Sequence, residues 1–232
     1  MTRIKMCGLM FPGDIGLAVA AGADSLGFVT EYPVPVPWKL CREAAAELVA
    51  AAPPFVTTTA VVGGAVDDML AIAARVRPHF LQLHGDESLD QVNAVCAGLA
   101  GTGTKAIKAL RVDVDTGCAQ FEEPDPVRAA LALAGTGIAG LVVDSKTASR
   151  PAGTGVALDW TLAARIAEVC PKPFILAGGL NPANVAGAVE RVRPYGVDVI
   201  SGVETEAAVK DGQRMRAFVA AVRGADARSP AS

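Results

Sequence analysis

Leu141-Val142-Val143-Asp144-Ser145 is a strand-length apolar run that stops on a carboxylate, and the fold turns on how it is read. With Gly140 in front of it, the run is continuously apolar, as a parallel strand buried on both faces must be; a half-solvated antiparallel strand would alternate. Val197-Asp198-Val199-Ile200 reads the same way. Working outward, short β-branched runs repeatedly precede Ala-rich stretches, at separations too long for hairpins and suited to βα units. Strands are expected at 3–7, 24–30, 55–62, 79–84, 104–110, 138–143, 173–177 and 197–201. Helices are expected at 13–21, 42–51, 66–76, 88–98, 125–134, 160–168, 182–192 and 208–223. Eight strand-then-helix units in strict order define an α/β protein, a single-domain (β/α)8 or TIM barrel over residues 1–223. The doubly wound open sheet is the rival, and it ranks lower because no Gly-x-Gly-x-x-Gly turn follows the first strand. Residues 224–232 carry no apolar periodicity and are expected to form a flexible C-terminal tail.

Composition narrows the function classes. The chain has 232 residues and is 51% hydrophobic, yet charges interrupt every apolar stretch well before the length of a membrane span. No basic segment followed by an apolar core opens it, so a cytoplasmic location is expected. The five cysteines are odd in number and scattered, without the CxxC spacing of zinc or redox sites, which fits a reducing compartment. A net charge of -3 without basic clusters points away from nucleic acid and from membranes. The expected partner is a small molecule.

Two features carry chemistry. Cys7 closes the first apolar run, Ile4-Lys5-Met6-Cys7-Gly8, as Asp144 closes the sixth. In a parallel barrel both positions lie at strand C-termini, the face that bears active sites, where a thiol and a carboxyl form an acid/base pair. Ala177-Gly178-Gly179-Leu180-Asn181-Pro182 and Ser201-Gly202-Val203-Glu204 follow the seventh and eighth strands. Loops at those two places form a recurring phosphate site, so Gly178, Gly179, Ser201 and Gly202 are the candidate phosphate contacts, through main-chain amides and the serine hydroxyl. Gly153-Thr154-Gly155, after strand six, reads either as a lid or as a plain connector.

These residues resemble the phosphoribosylanthranilate isomerase family, the tryptophan-pathway barrel. The likeness runs from Arg3 to about Val222 through Lys5-Met6-Cys7-Gly8, Gly27-Phe28-Val29, Gln82-Leu83-His84-Gly85-Asp86-Glu87, Ile107-Lys108-Ala109, Asp144-Ser145, Asp159-Trp160, Gly178-Gly179-Leu180-Asn181-Pro182 and Ser201-Gly202-Val203-Glu204 with Lys210-Asp211. The resemblance implies an Amadori rearrangement of an N-(5'-phosphoribosyl) arylamine, with Asp144 as the acid that opens the furanose and Cys7 as the base that takes the C2' proton. It implies no metal or organic cofactor. His84 reads either as a sugar contact or as a structural neighbour, and Arg111 either as an anion contact or as a surface arginine. Asp198 reads as a tie for neighbouring backbone.

Two segments depart from the family, both on the side of the mouth that holds the aryl group: Val61-Val62-Gly63-Gly64 stands where the family tends to have Phe-Val-Asn, and the stretch after strand two differs more. A Ser-Pro-Arg-Tyr stretch, whose arginine pairs with the anthranilate carboxylate, is replaced by Tyr32-Pro33-Val34-Pro35-Val36-Pro37-Trp38-Lys39. Trp38 reads either as a stacking surface for an aromatic amine or as a residue packed beneath the proline-rich loop. Three functions follow in order: phosphoribosylanthranilate isomerase with Lys39 or Arg42 as the substitute cation; the same rearrangement on another phosphoribosyl arylamine; and a phosphosugar-binding barrel without catalysis.

Overall fold

Every apolar run read as a strand finds a parallel neighbour on both edges, and that pairing closes the sheet on itself. The structure, a computed structural model, describes residues 1–146 and 158–228. Its strands are β1 (Arg3–Met6), β2 (Ser25–Thr30), β3 (Lys39–Leu40), β4 (Thr57–Val62), β5 (Phe80–Leu83), β6 (Lys105–Asp113), β7 (Leu141–Lys146), β8 (Phe174–Leu176) and β9 (Gly196–Val199). The helices between them are α1 (Pro12–Ala21), α2 (Arg42–Ala50), α3 (Val66–Val76), α4 (Leu89–Gly98), α5 (Pro126–Ala134), α6 (Trp160–Val169), α7 (Val185–Val192) and α8 (Gly212–Arg228). Strand order runs β1-β9-β8-β7-β6-β5-β4-β2, and β1 pairs with β2 to complete a closed (β/α)8 barrel. The two-residue β3 lies outside the ring and only extends the mouth end of β2, where Val29 aligns with Lys39.

The alternation of side chains along each strand decides what faces the lumen. Ile4, Met6, Leu81, Leu83, Leu141, Val143, Val197 and Val199 belong to the apolar layer between sheet and helices. Their alternates therefore point inward: Lys5 on β1 with Cys7 just past its end, Gln82 on β5 with His84 just past its end, Val142 and Asp144 on β7, and Asp198 on β9. Ile107, Ala109, Val142 and Ala177 form a separate apolar cluster inside the barrel. Helix starts follow local chemistry. Ser88 and Gln91 form a reciprocal capping box on α4, and Asp125 and Asp159 accept main-chain N–H bonds at the starts of α5 and α6.

Three elements differ from the sequence reading. The last helix begins at Gly212 rather than 208, because Glu204–Glu206 (β10) and Val209–Lys210 (β11) pair as an antiparallel hairpin. Ala208 at its turn takes φ 65°, a left-handed value that helix propensity does not foretell. At its other end α8 runs to Arg228, past the expected boundary at 223. The Asp226 carboxylate accepts bonds from Thr2 N (3.0 Å) and Thr2 Oγ1 (2.7 Å), and Ala225 is fully buried, so the two chain ends hold each other. Finally, β6 runs three residues further than expected and β7 is shifted three residues toward the C-terminus, which places Arg111 and Asp144 within strands, in register with each other. The Gly153-Thr154-Gly155 segment lies outside the described residues.

Candidate active site at the barrel mouth

Period-two alternation carries Cys7, His84, Asp144 and Asp198 from four strands to one cavity at the C-terminal mouth. Cys7, Asp144, Gln82, His84, Trp38, Gly178, Gly179, Asp198 and Ser201 all line it. The carboxylate and the thiol chosen from the sequence thus share a chamber.

Cys7 is held by its backbone, whose N–H donates to the Val199 carbonyl (2.9 Å), and its side chain is almost fully buried. Gly27 makes room for it from β2: a Cβ there would lie 2.5 Å from Cys7 Sγ and 3.0 Å from Cys7 Cα. Burial pushes the thiol pKa up, because a thiolate is poorly solvated in the lumen, and the Lys5 ammonium opposes that shift. Lys5 is itself buried, 2.8 Å from Asp198 Oδ2. Burial alone would lower its pKa, but the Asp198 carboxylate and Cys7 together reverse the effect and hold it above the ordinary lysine range.

Asp144 sits among donors. Its Oδ1 accepts the Ser145 N–H (2.8 Å), and its Oδ2 lies 3.3 Å from His84 Nε2. The Gln82 side-chain amide meets His84 Nδ1 at 3.0 Å, on the ring edge opposite Asp144, and so fixes the orientation of the imidazole. Of the buried acceptors without a hydrogen-bond partner among the described residues, Gln82 Oε1 and Asp198 Oδ1 belong to residues that line the cavity. Buried acceptors of this kind call for a donor from a bound molecule.

The two glycine loops are built for close backbone approach. Gly178 and Gly179 have φ of 86° and 64°, and a Cβ on Gly178 would meet Ser145 Oγ at 2.5 Å. Gly202 is not itself in the lining; a Cβ there would strike the Leu180 carbonyl oxygen at 2.0 Å, so its smallness lets the Ser201–Val203 turn nest against the first glycine loop.

Two other expectations resolve differently. Trp38 lines the cavity and is also packed beneath the loop, 6% exposed, with Nε1 donating to Glu204 Oε1 (2.7 Å). Glu204 is paired in turn with Lys210 Nζ (2.6 Å). Arg111 faces inward on β6 but is absent from the lining, and it is a buried rather than a surface arginine, because its guanidinium pairs with Asp86. Beside it, burial lowers the pKa of Lys108, which Glu87 (2.8 Å) partly restores; the same ammonium ties the Gly85 carbonyl (2.9 Å). Lys39 and Arg42, the substitute cations considered for the arylamine, do not line the cavity, and Arg42 is committed to Glu31 (2.6 Å). Among the described residues no three His, Cys, Asp or Glu side chains gather as a metal site.

Lys5, Gln82 and Asp198 have no assigned site role in the sequence reading. The available signal is positional: Lys5 lies two residues before Cys7, and Gln82 two before His84, hence on the same strand face.

A closed parallel barrel with one polar chamber at its C-terminal mouth, flanked by glycine loops after its last two strands, defines the class: a (β/α)8 barrel of the enzyme type. The family model for N-(5'-phosphoribosyl)anthranilate (PRA) isomerase matches residues 4–221, and the chain belongs to that family. It is 44% identical over 239 residues to the N-(5'-phosphoribosyl)anthranilate isomerase of Ralstonia nicotianae, covering 100% of this chain and 96% of that one. The crystal structure of phosphoribosyl anthranilate isomerase from Thermotoga maritima superposes with a TM-score of 0.80 at 28% identity, covering 97% of this chain and 100% of that one. A phosphoribosyl anthranilate isomerase solved in complex with reduced 1-(o-carboxyphenylamino)-1-deoxyribulose 5-phosphate gives 0.77 at 27% identity, with the same coverage.

Proposed function

We propose that this barrel is an intramolecular oxidoreductase of tryptophan biosynthesis, which converts N-(5'-phosphoribosyl)anthranilate to 1-(2-carboxyphenylamino)-1-deoxyribulose 5-phosphate. The observation that carries the reading is the presence of Cys7 and Asp144 in one cavity, which Gly178, Gly179 and Ser201 of the loops after β8 and β9 also line. Asp144 gives its proton to the furanose ring oxygen as the C1'–O bond breaks, and the amine lone pair closes to an iminium. The Cys7 thiolate then removes the C2' proton, and the bonding pair moves into C1'–C2' to give an enolamine. Ketonisation at C2', with a proton delivered to C1', completes an isomerisation in which C2' is oxidised and C1' reduced. No outside electron donor or acceptor enters.

Other residues bind and orient. Gly178, Gly179 and Ser201 hold the phosphate through main-chain N–H groups and the serine hydroxyl, and Gly202 lets that turn sit close to the first glycine loop. Gln82 Oε1 and Asp198 Oδ1, the cavity's buried acceptors without partners, take hydrogen bonds from ribose hydroxyls. His84 Nε2 faces Asp144 Oδ2 at 3.3 Å and positions its carboxyl. The partner is a small phosphoribosyl arylamine in the cytoplasm. All five cysteines are free, as a reducing compartment would leave them, and no helix among the described residues is long and apolar enough to cross a membrane.

The test is the fluorescence decay of phosphoribosylanthranilate with purified protein, alongside rescue of a tryptophan auxotroph lacking this step. Decay with rescue is the expected result; neither would reject the reading.

A further inference from the structure

The side of the cavity formed by β2, β4 and the loop after β2 is apolar: Val29, Tyr32, Val36, Trp38 and Val61. Its two polar tips are turned into protein. The Tyr32 hydroxyl donates to the His84 carbonyl (2.9 Å), and Trp38 Nε1 donates to Glu204 Oε1 (2.7 Å). No lysine or arginine lines the cavity among the described residues. The buried cations near it are committed to carboxylates, Lys5 to Asp198 (2.8 Å), Lys108 to Glu87 (2.8 Å), Lys210 to Glu204 (2.6 Å) and Arg111 to Asp86, and Lys39, beside Trp38 in sequence, is exposed and outside the lining. The acidic groups that do line it are Asp144 and Asp198.

We infer that this wall recognises the aryl ring by shape and apolar contact alone, and that the enzyme also isomerises N-(5'-phosphoribosyl) arylamines that carry no ring carboxylate, the aniline derivative being the simplest. The inference rests on the isomerase reading. A carboxylate placed against this wall meets neither a cation nor a free side-chain donor, so it gains little there to offset its desolvation. A bare ring loses nothing by its absence and buries the same flat surface beside the indole of Trp38. Phosphate and ribose, which both substrates share, supply the remaining binding.

Anthranilate or aniline is condensed with ribose 5-phosphate, and kcat/KM for each phosphoribosyl adduct is measured by chromatographic detection of the aminoketose. Loss of one partner of a buried charge pair costs about thirtyfold or more, equivalent to about 2 kcal/mol. A preference for the anthranilate adduct below thirtyfold, or a preference for the aniline adduct, is expected. A larger preference for anthranilate overturns the inference and leaves the isomerase reading standing; turnover of neither adduct sinks both. Val36→Arg, which places a cation on the wall, should raise the anthranilate-to-aniline ratio at least tenfold. An unchanged ratio would show that the aryl group lies elsewhere.

Discussion

The Lys5 ammonium lies 2.8 Å from Asp198 Oδ2 and interacts with the Cys7 thiol two residues along the same strand, so one buried cation serves a carboxylate and a thiol at once. Burial raises the Cys7 pKa and Lys5 is the largest opposing influence. The base form of Cys7 is the thiolate, so kcat/KM should rise with pH along a limb set above the ordinary thiol range of about 8.5. Lys5→Met should move that limb further alkaline. It should also destabilise the fold by about 3–5 kcal/mol, because Asp198 is left buried and unpaired. Lys5→Met/Asp198→Leu should recover most of that stability and, because the Asp198 carboxylate also raises the thiol pKa, draw the limb part of the way back. The pH dependence of iodoacetamide alkylation at Cys7 reads the thiol directly, and thermal melts read the stability.

The raised Cys7 pKa also bears on folding. An acid whose folded-state pKa exceeds its unfolded value stabilises the fold below the unfolded pKa and loses that contribution as pH climbs through the folded one. Wild-type stability should therefore fall as pH rises above about 8.5. Cys7→Ser should flatten that part of the profile in urea titrations at successive pH values.

Gly27→Ala should lower activity about 10²-fold while leaving a folded barrel. The added Cβ meets Cys7 Sγ at 2.5 Å and Cys7 Cα at 3.0 Å, so the strand ends must part or the thiol must turn away. Overpacking of this kind costs about 1–3 kcal/mol in stability, while a misplaced base costs about 10²-fold in kcat. Circular dichroism and steady-state kinetics separate the two effects.

Gly178→Ala should act on phosphate rather than on chemistry. Its φ of 86° and the 2.5 Å approach to Ser145 Oγ leave no room for a side chain. The expected outcome is a raised KM and weaker competitive inhibition by inorganic phosphate, with kcat less affected.

The end of α8 offers a test of the fold itself. Removing residues 224–232 deletes the buried Ala225 and the Asp226 carboxylate that Thr2 binds at 2.7 Å. Bonds to a charged acceptor contribute about 1.5–3 kcal/mol. At about 2–4 °C per kcal/mol for a chain of this size, Tm should drop by roughly 3–12 °C. A tail without contacts would leave Tm unchanged.

The barrel was legible because parallel strands buried on both faces must be apolar throughout, and runs such as Leu141-Val142-Val143 could be placed from that alone. Cys7 and Asp144 were legible because each breaks such a run at its end. What the sequence concealed depends on contacts across strands. Gly27 opposes Cys7 only through barrel register, and Arg111 meets Asp86 only once β6 and the loop after β5 are side by side. The hairpin at Glu204–Glu206 was hidden because Ala207, Ala208 and Lys210 favour helix locally, and the Lys210–Glu204 pair (2.6 Å) overrides that preference. The hold of Asp226 on Thr2 joins opposite ends of the chain, where local periodicity carries no information.

The central claim is that Cys7 and Asp144 act together on one ribose. Its most direct measurement is the turnover number for phosphoribosylanthranilate in Cys7→Ser, Asp144→Asn and the double variant, each checked for wild-type folding. Each single change should lower kcat by about 10²–10⁴-fold, and the double variant should be little worse than either, because the two groups serve a single proton-transfer sequence. Near wild-type turnover in either single variant would contradict the account.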